Sequence, residues 1–359
     1  MLTAPQGNIY HIAQWLPDNQ QVLMTEELFH NVDVGNDNPP QESISLYNPE
    51  TGESKMYAIR DLTREPPLWL PDLNAVAYSA INYSIYKKNG IAKFTRQVLV
   101  SYGNPDTAQI LDDNLPQFPI AIKPGGSEML YLSDKKISKL DKSLKKLSSL
   151  SLDSAQWDYG KGWRDPNPVS YKMAWQPGTP LIFLYGDGGA MGGGGYTFIL
   201  NADTGHVCEL DFGGWASGAR WSSDGRYLAI GRATTSHPSD LTLLDATTGN
   251  ITTLRGTPQG IEGQLYLNDF IWAPDNHHLL AIGSVISSQN FQSENNIQGL
   301  YLVDIVSGQS VHVAPEHKSF IFSQDKNFAW SPDGSKLIIH CPTQTVDQIC
   351  LISVQRAGQ

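Results

Sequence analysis

Cationic side chains are scarce in this sequence. Its 359 residues carry 25 Lys and Arg against 36 Asp and Glu, a formal net charge of −11 and a pI near 5.2. Neither a nucleic-acid backbone nor an anionic membrane surface is matched by such a balance, because both are bound through basic patches. The one basic run, from Lys135 to Lys146, reads as a solvated edge hairpin. Long apolar runs are also missing: nothing approaches the about 18 residues of a membrane-spanning helix. The first residues, Met-Leu-Thr-Ala-Pro-Gln, have neither the basic nor the apolar region of a signal peptide. Cysteine is nearly absent, with three in the chain. Cys341 and Cys350 flank the loop of a predicted hairpin, where a cross-strand disulfide or two reduced thiols both fit. Cys208 reads as a small core residue.

Recognisable catalytic motifs are lacking too. There is no Gly-x-Ser-x-Gly and no His-Glu-x-x-His. The glycine run from Asp187 to Gly195 lacks the Gly-Lys-Ser/Thr ending of a phosphate-binding loop and precedes no helix. The nine histidines are scattered, and the adjacent pair His277-His278 would face opposite ways on a strand. The sequence assigns no cofactor, no metal ligands and no catalytic residues.

What is present is a repeated turn sentence. It occurs as Trp15-Leu-Pro-Asp-Asn19, Trp69-Leu-Pro-Asp-Leu73, Trp221-Ser-Ser-Asp-Gly225, Trp272-Ala-Pro-Asp-Asn276 and Trp330-Ser-Pro-Asp-Gly334. Degenerate copies stand at Ile122-Lys-Pro-Gly-Gly126 and Trp175-Gln-Pro-Gly-Thr179. Pro fixes φ, Asp bonds nearby backbone and Gly or Asn accepts φ > 0, so each residue has its own reason to be there. Successive copies lie 46 to 58 residues apart. Seven units therefore fill residues 1–359 as one expected domain.

Each unit holds four short strands, a to d. In the fifth they read 216–221, 227–231, 240–245 and 250–254, with a Thr-Gly turn between the last two. Four-stranded units repeated at this length predict an all-β, seven-bladed β-propeller of antiparallel blades. The last unit has no strand d of its own. The N-terminal Leu2-Thr-Ala-Pro-Gln-Gly7 matches the tail of a strand d, so it is expected to complete blade seven, with earlier residues of that strand, and any signal or anchor, upstream of Met1.

The turn sentence resembles the repeats of TolB-like, WD40-like (PD40 repeat) propellers over all seven units. It lacks the Gly-His and Trp-Asp marks of true WD40 blades, and the turn Asp is lost at Ile122 and Trp175. The resemblance implies a binding scaffold, in many relatives outside the cytoplasm, and hence a periplasmic, secreted or cell-surface setting. It also leaves two alternatives: an oligogalacturonate-lyase-like carbohydrate enzyme with a metal above the propeller axis, and the propeller domain of a larger secreted protein.

Function is expected on the face that carries the long b–c and d–a connections, because the a–b and c–d turns are short. Six of the nine tryptophans sit at the blade position: Trp15, Trp69, Trp175, Trp221, Trp272 and Trp330. With the turn residues Asp224, Asp275 and Asp333 they read as the structural repeat. The other three, Trp157, Trp163 and Trp215, flank blade four. Trp157, Tyr159, Trp163, Arg164, Asp165 and Trp215 form the candidate binding set, since Trp, Tyr and Arg dominate protein-interface hot spots. The glycine run of blade four is expected to act as a flap beside them. The favoured partner is a protein or peptide, with carbohydrate as the other ligand class. A non-catalytic role is favoured over an enzymatic one.

Overall fold

The computed structural model describes residues 2–3, 9–28, 41–61, 66–82, 95–115, 120–123, 128–133, 136–141, 145–151, 156–158, 171–186, 197–210, 215–233, 240–258, 263–286, 297–313, 328–341 and 348–354. They form seven antiparallel sheets of four strands each, the blades of a β-propeller. The chain falls into two compact units. One comprises Met1–Phe118 with Ser319–Gln359, and the other comprises Pro119–Lys318.

The first unit holds blades seven, one and two. Blade one runs Ile9–Trp15, Val22–Leu28, Gln41–Tyr47 and Ser54–Asp61 as strands a to d. Blade two is Leu68–Leu70, Ala75–Asn82, Thr95–Ser101 and Gln109–Leu115. Blade seven takes Phe328–Trp330, Lys336–His340 and Gln348–Ser353 from the C-terminal part of the chain and Leu2–Thr3 from the N-terminus. Leu2 pairs with Ile349 and Thr3 with Gln348, so the N-terminal strand completes the last blade as expected. The hairpin of this blade is closed by a Cys341–Cys350 disulfide, with Cα atoms 5.9 Å apart.

The second unit holds blades three to six. Their strands are Ile120–Ile122, Glu128–Ser133, Lys136–Asp141 and Lys146–Ser151; Tyr171–Trp175, Leu181–Gly186, Thr197–Asn201 and His206–Glu209; Trp215–Trp221, Tyr227–Ala233, Asp240–Asp245 and Ile251–Leu254; and Gln264–Trp272, His278–Ile286, Ile297–Asp304 and Gln309–Val313. Two blades gain a fifth, outer strand that runs parallel to strand d. Gln156–Asp158 lies along blade four and Thr257–Pro258 along blade six. Both come from the connection that enters the blade.

The turn sentence folds the same way almost everywhere. Residue two of each copy donates its N–H across the turn, as in Leu16 to Gln21 (2.8 Å), Ser222 to Tyr227 (2.8 Å), Ala273 to His278 (2.9 Å) and Ser331 to Lys336 (2.9 Å). The degenerate copies close likewise, Lys123 to Glu128 and Gln176 to Leu181, both at 2.9 Å. At Gln176 the missing Asp thus leaves the turn intact, whereas residues 124–127 of the other copy lie outside the described residues. Blade two differs: Pro71–Leu73 is a short 3₁₀ turn, and the left-handed residue comes one position later, at Asn74.

The c–d turns share a device that begins one residue before the repeat seen in the sequence. Asn48, Asn201, Asp245 and Asp304 each accept a side-chain hydrogen bond from the N–H two residues on. Their carbonyls accept from the left-handed Gly52, Gly205, Gly249 and Gly308. Both turn families use Asx side chains to replace backbone partners that a strand would have supplied.

The core lies between blades. One cluster joins Ala229, Leu241 and Leu243 of blade five to Phe270, Leu279 and Tyr301 of blade six. Others join blades three and four, four and five, seven and one, and one and two. Blades one, four and five thus bury both faces of their sheets, and their strand residues alternate between the two neighbours.

Candidate functional site

Trp15, Trp69 and Trp175 are buried and belong to these inter-blade clusters. Trp221, Trp272 and Trp330 are half-buried. In blades five and six the indole reaches back to the preceding blade: Trp221 Nε1 donates to the Ala174 carbonyl (3.1 Å) and Trp272 Nε1 to the Arg220 carbonyl (2.8 Å). Trp175 turns its Nε1 to its own turn, at the Thr179 carbonyl (2.9 Å), while Lys123 Nζ of blade three lies 5.5 Å from its ring centroid.

The Asp of the turn works on backbone. Asp224 Oδ1 accepts from Arg226 N–H, Asp275 Oδ1 from His277 and His278, and Asp333 Oδ1 from Ser335. The Ser335 N–H and the Ser331 and Ser335 hydroxyls hold the Asp333 carboxyl down at about 2. The polar groups at this end of the blades are thus largely engaged with one another.

The opposite end bears the long connections. Of the candidate binding set, Trp157 is the central residue of Gln156–Asp158, the parallel fifth strand of blade four, in register with Val207. The sequence had placed it in an irregular loop. Trp215 opens strand a of blade five and pairs with Ala233. Tyr159, Trp163, Arg164 and Asp165 lie outside the described residues, as does the glycine run from Asp187 to Gly195. The structure therefore puts Trp157 on the outer strand of blade four and Trp215 on strand a of blade five.

Sequence reasoning missed a buried polar row on blade one. Glu27, Glu42 and Arg60 are register partners across strands b, c and d, and each is less than 5% exposed. Arg60 Nε donates to Glu42 Oε1 (2.9 Å), and its Nη1 donates to the Ser79 carbonyl of blade two (2.9 Å). His11 Nε2 lies 2.8 Å from Glu27 Oε1. The row sits at the loop-bearing end of the blade. The signal was in the sequence: in Glu26-Glu27 of strand b, adjacent residues face opposite ways, so one carboxylate must point into the sheet interface. Glu26 faces the other side, where with Tyr10, Met24, Ser43 and Ser45 it lines a cleft of about 170 Å³.

A second miss is Cys208. It is half-buried rather than core, and its Sγ lies 3.2 Å from His206 Nε2. Val207, between them, takes the core position instead. Among the described residues, no three His, Cys, Asp or Glu side chains are grouped so as to hold a metal ion. No helix there is long and apolar enough to cross a membrane.

No protein-family model and no curated protein matches the chain. Among solved structures it is similar to the β-propeller domain of the Trilobed protease from Pyrococcus furiosus, at 10% identity and a TM-score of 0.54, over 98% of this chain and 99% of that one. It is also similar to a puromycin hydrolase mutant complexed with PGG, at 12% identity and a TM-score of 0.50, over 94% of this chain and 57% of that one. It thus spans little more than half the length of that hydrolase. TolB from Acinetobacter baumannii aligns at 12% identity and a TM-score of 0.44, over 89% of this chain and 75% of that one. At such identities the likeness to the first two is one of fold alone, and it agrees with the seven sheets: the chain is a seven-bladed β-propeller.

Proposed function

We propose that this chain is a non-catalytic binding scaffold that engages a protein or peptide through the loop-bearing face around blade four. The observation that carries this reading is the placement of Trp157. The connection into blade four fixes it on a strand, Gln156–Asp158, at the outer edge of the sheet. An aromatic anchor on a rigid element binds with less ordering cost than one on a free loop. Tyr159, Trp163, Arg164 and Asp165 follow directly in sequence and, with Trp215 of blade five, complete the contact set. The net charge of −11 favours a basic partner. The Cys341–Cys350 disulfide supports an extracytoplasmic setting, since cytosolic reductants keep such pairs open.

The test is capture from an extract of the source organism with wild type and with Trp157→Ala/Trp163→Ala/Arg164→Ala, after circular dichroism shows that both fold. A partner that the wild type retains and the variant loses, followed by titration of that purified partner, supports the reading. A partner held equally by both would place the site elsewhere. Absence of any partner would move the effort to carbohydrate-lyase assays and metal analysis.

A second reading, the propeller domain of a larger protein, is supported by the near-complete mutual coverage with the β-propeller domain of the Pyrococcus furiosus Trilobed protease. The mass of the native protein in source cells, read by immunoblot, decides it: a species much larger than 39.5 kDa supports this reading.

A further inference from the structure

Among the described residues, blade seven has the shortest outer strand. Strand d of the other blades spans four to eight residues, whereas here it is Leu2–Thr3. These two pair with Ile349 and Gln348, so residues 350–353 of strand c have no outer partner strand among the described residues. The Gln348 carbonyl accepts from Cys341 N–H and Val354 N–H donates to the Ser335 carbonyl, both at 2.8 Å. Backbone groups alternate in direction along an antiparallel strand, so Leu351 and Ser353 aim their N–H and C=O outward. Leu351 and Ile352 are only half-buried. The cleft of blade one lies beside this edge. Tyr10, Met24 and Tyr47 line it, and the same three side chains pack with Ile338, Ile349 and Leu351 of blade seven. Glu26 and Ser45 add polar groups to its wall, and Met56, the register partner of Ser45, is 45% exposed.

We propose that the edge of blade seven takes an extended, basic peptide segment of another protein as the rest of its strand d. The peptide pairs antiparallel with residues 350–353 and continues the ladder that Leu2–Thr3 begins. Main-chain hydrogen bonds to Leu351 and Ser353 hold it, and every second side chain turns toward blade one. There Tyr47 and Met56 offer aromatic and apolar contact, and Glu26 offers a carboxylate to a Lys or Arg that reaches into the cleft. The net charge of −11 favours such a peptide and disfavours a second copy of the chain at the same edge. The Cys341–Cys350 disulfide ties the edge strand to the loop it leaves, which lowers the cost of ordering that strand on binding. This site lies in blades seven and one and does not rest on the reading of blade four.

The probe is a labelled synthetic octapeptide with the sequence of Ser54–Asp61, which forms a strand d in blade one and carries Lys55 and Arg60. Its binding to the full chain is read by fluorescence anisotropy, and amide hydrogen exchange is read residue by residue by fragmentation mass spectrometry. Saturable binding is expected, with slowed exchange at Leu351 and Ser353 and no change in Asp240–Asp245, strand c of blade five. Ser353→Pro removes an outward N–H and Ser45→Phe fills the cleft. Each, checked for folding by circular dichroism, is expected to weaken binding by roughly fivefold or more. Glu26→Gln is expected to weaken this peptide more than its Lys55→Gln/Arg60→Gln form. The proposal is overturned if the peptide leaves exchange at Leu351 and Ser353 unchanged, or if neither Ser353→Pro nor Ser45→Phe weakens binding. It is overturned equally if light scattering shows that two chains pair through these amides, or if the amides are already protected without peptide in this chain or in the protein from source cells, which would mean that the chain fills its own edge.

Discussion

The backbone N–H of Ser223 in blade five donates to Asn276 Oδ1 in blade six at 2.8 Å, and the Ser223 hydroxyl donates to the same oxygen at 2.9 Å. The left-handed residue of one turn thus clasps the turn of the blade before it. Blades seven and one repeat the device one atom group along. Position three of that turn is Pro332, which has no N–H, so Asp333 N–H donates to Asn19 Oδ1 instead, at 3.1 Å. Between blades four and five the left-handed residue is Gly225, which has no side chain. There the polarity reverses, and Gln176 Nε2 of blade four donates to the Gly225 carbonyl at 2.7 Å.

Replacement of Asn276 by Gly keeps the left-handed backbone and removes only the clasp. Asn276→Gly is expected to lower stability by about 1–2 kcal/mol in urea titration, while Asn276→Asp, which retains an acceptor, costs less. Equal effects of the two variants would show that the clasp contributes nothing.

Gly225 and Gly249 separate backbone strain from blade contact. Their φ values are +73° and +74°. A Cβ at Gly249 meets nothing within 4 Å, whereas one at Gly225 would lie 2.7 Å from the backbone carbonyl oxygen of Pro177 in blade four. Gly249→Ala is expected to cost about 1–2 kcal/mol from the left-handed backbone alone. Gly225→Ala should cost at least about 1 kcal/mol more, because blade four must shift. Denaturant midpoints of the two variants, at unchanged slope, measure the difference.

These two turns also show what the sequence makes legible. Asp, Pro and Gly act within four or five residues, so their spacing exposed the blade count, the turns and the N-terminal closure of blade seven. Gln156–Asp158 left no such trace. It is three residues long, has no alternation of its own, and becomes a strand by pairing with His206–Cys208, some fifty residues away. Partition of the blade tryptophans was equally hidden, since indole exposure depends on the neighbouring blade. The buried row of Glu27, Glu42 and Arg60 lies between these cases. Its charges stand at strand positions that alternation points inward, but their partners come from three strands and a second blade.

Trp272 and Trp330 occupy the same repeat position with different hydrogen bonding. Trp272 Nε1 donates to the Arg220 carbonyl, whereas buried Trp330 Nε1 has no partner among the described residues. Phe in place of Trp removes similar area at both sites but strands a carbonyl only at the first. Trp272→Phe is therefore expected to cost about 1 kcal/mol more than Trp330→Phe in thermal or urea unfolding. The reverse order would mean that the indole relay is not a stabilising link.

Asp333 gives the turn face a pH signature. Its carboxyl, held by the Ser335 N–H and the Ser331 and Ser335 hydroxyls, titrates at about 2 in the folded chain, against an ordinary value near 3.8. A carboxyl depressed on folding contributes stability that is fully present above its unfolded value and lost as pH falls through its folded one. Wild type should therefore lose this contribution between about pH 4 and pH 2. Asp333→Asn keeps the acceptor oxygen but not the titration. Its melting temperature should accordingly fall less steeply than that of wild type across the same window. Parallel curves would assign acid sensitivity to other groups.

Arg60 has the largest expected effect on blade one. Both side chains of the Arg60–Glu42 pair are at most 2% exposed, and Arg60 also binds the Ser79 carbonyl of blade two. Loss of Arg60 takes from Glu42 a counter-ion held where water reaches little. Here Glu27, the register partner of Glu42, would add a second carboxylate beside it. Arg60→Met should therefore cost about 3–5 kcal/mol. Loss of both charges is a different matter: Glu42→Leu/Arg60→Met exchanges the pair for apolar volume and should recover at least about 1 kcal/mol of that loss. A double-mutant cycle in urea reads the coupling directly. If Arg60→Met alone costs less than about 1 kcal/mol, the row is already solvated, and the loop-bearing end of blade one is open to water rather than sealed by its charges.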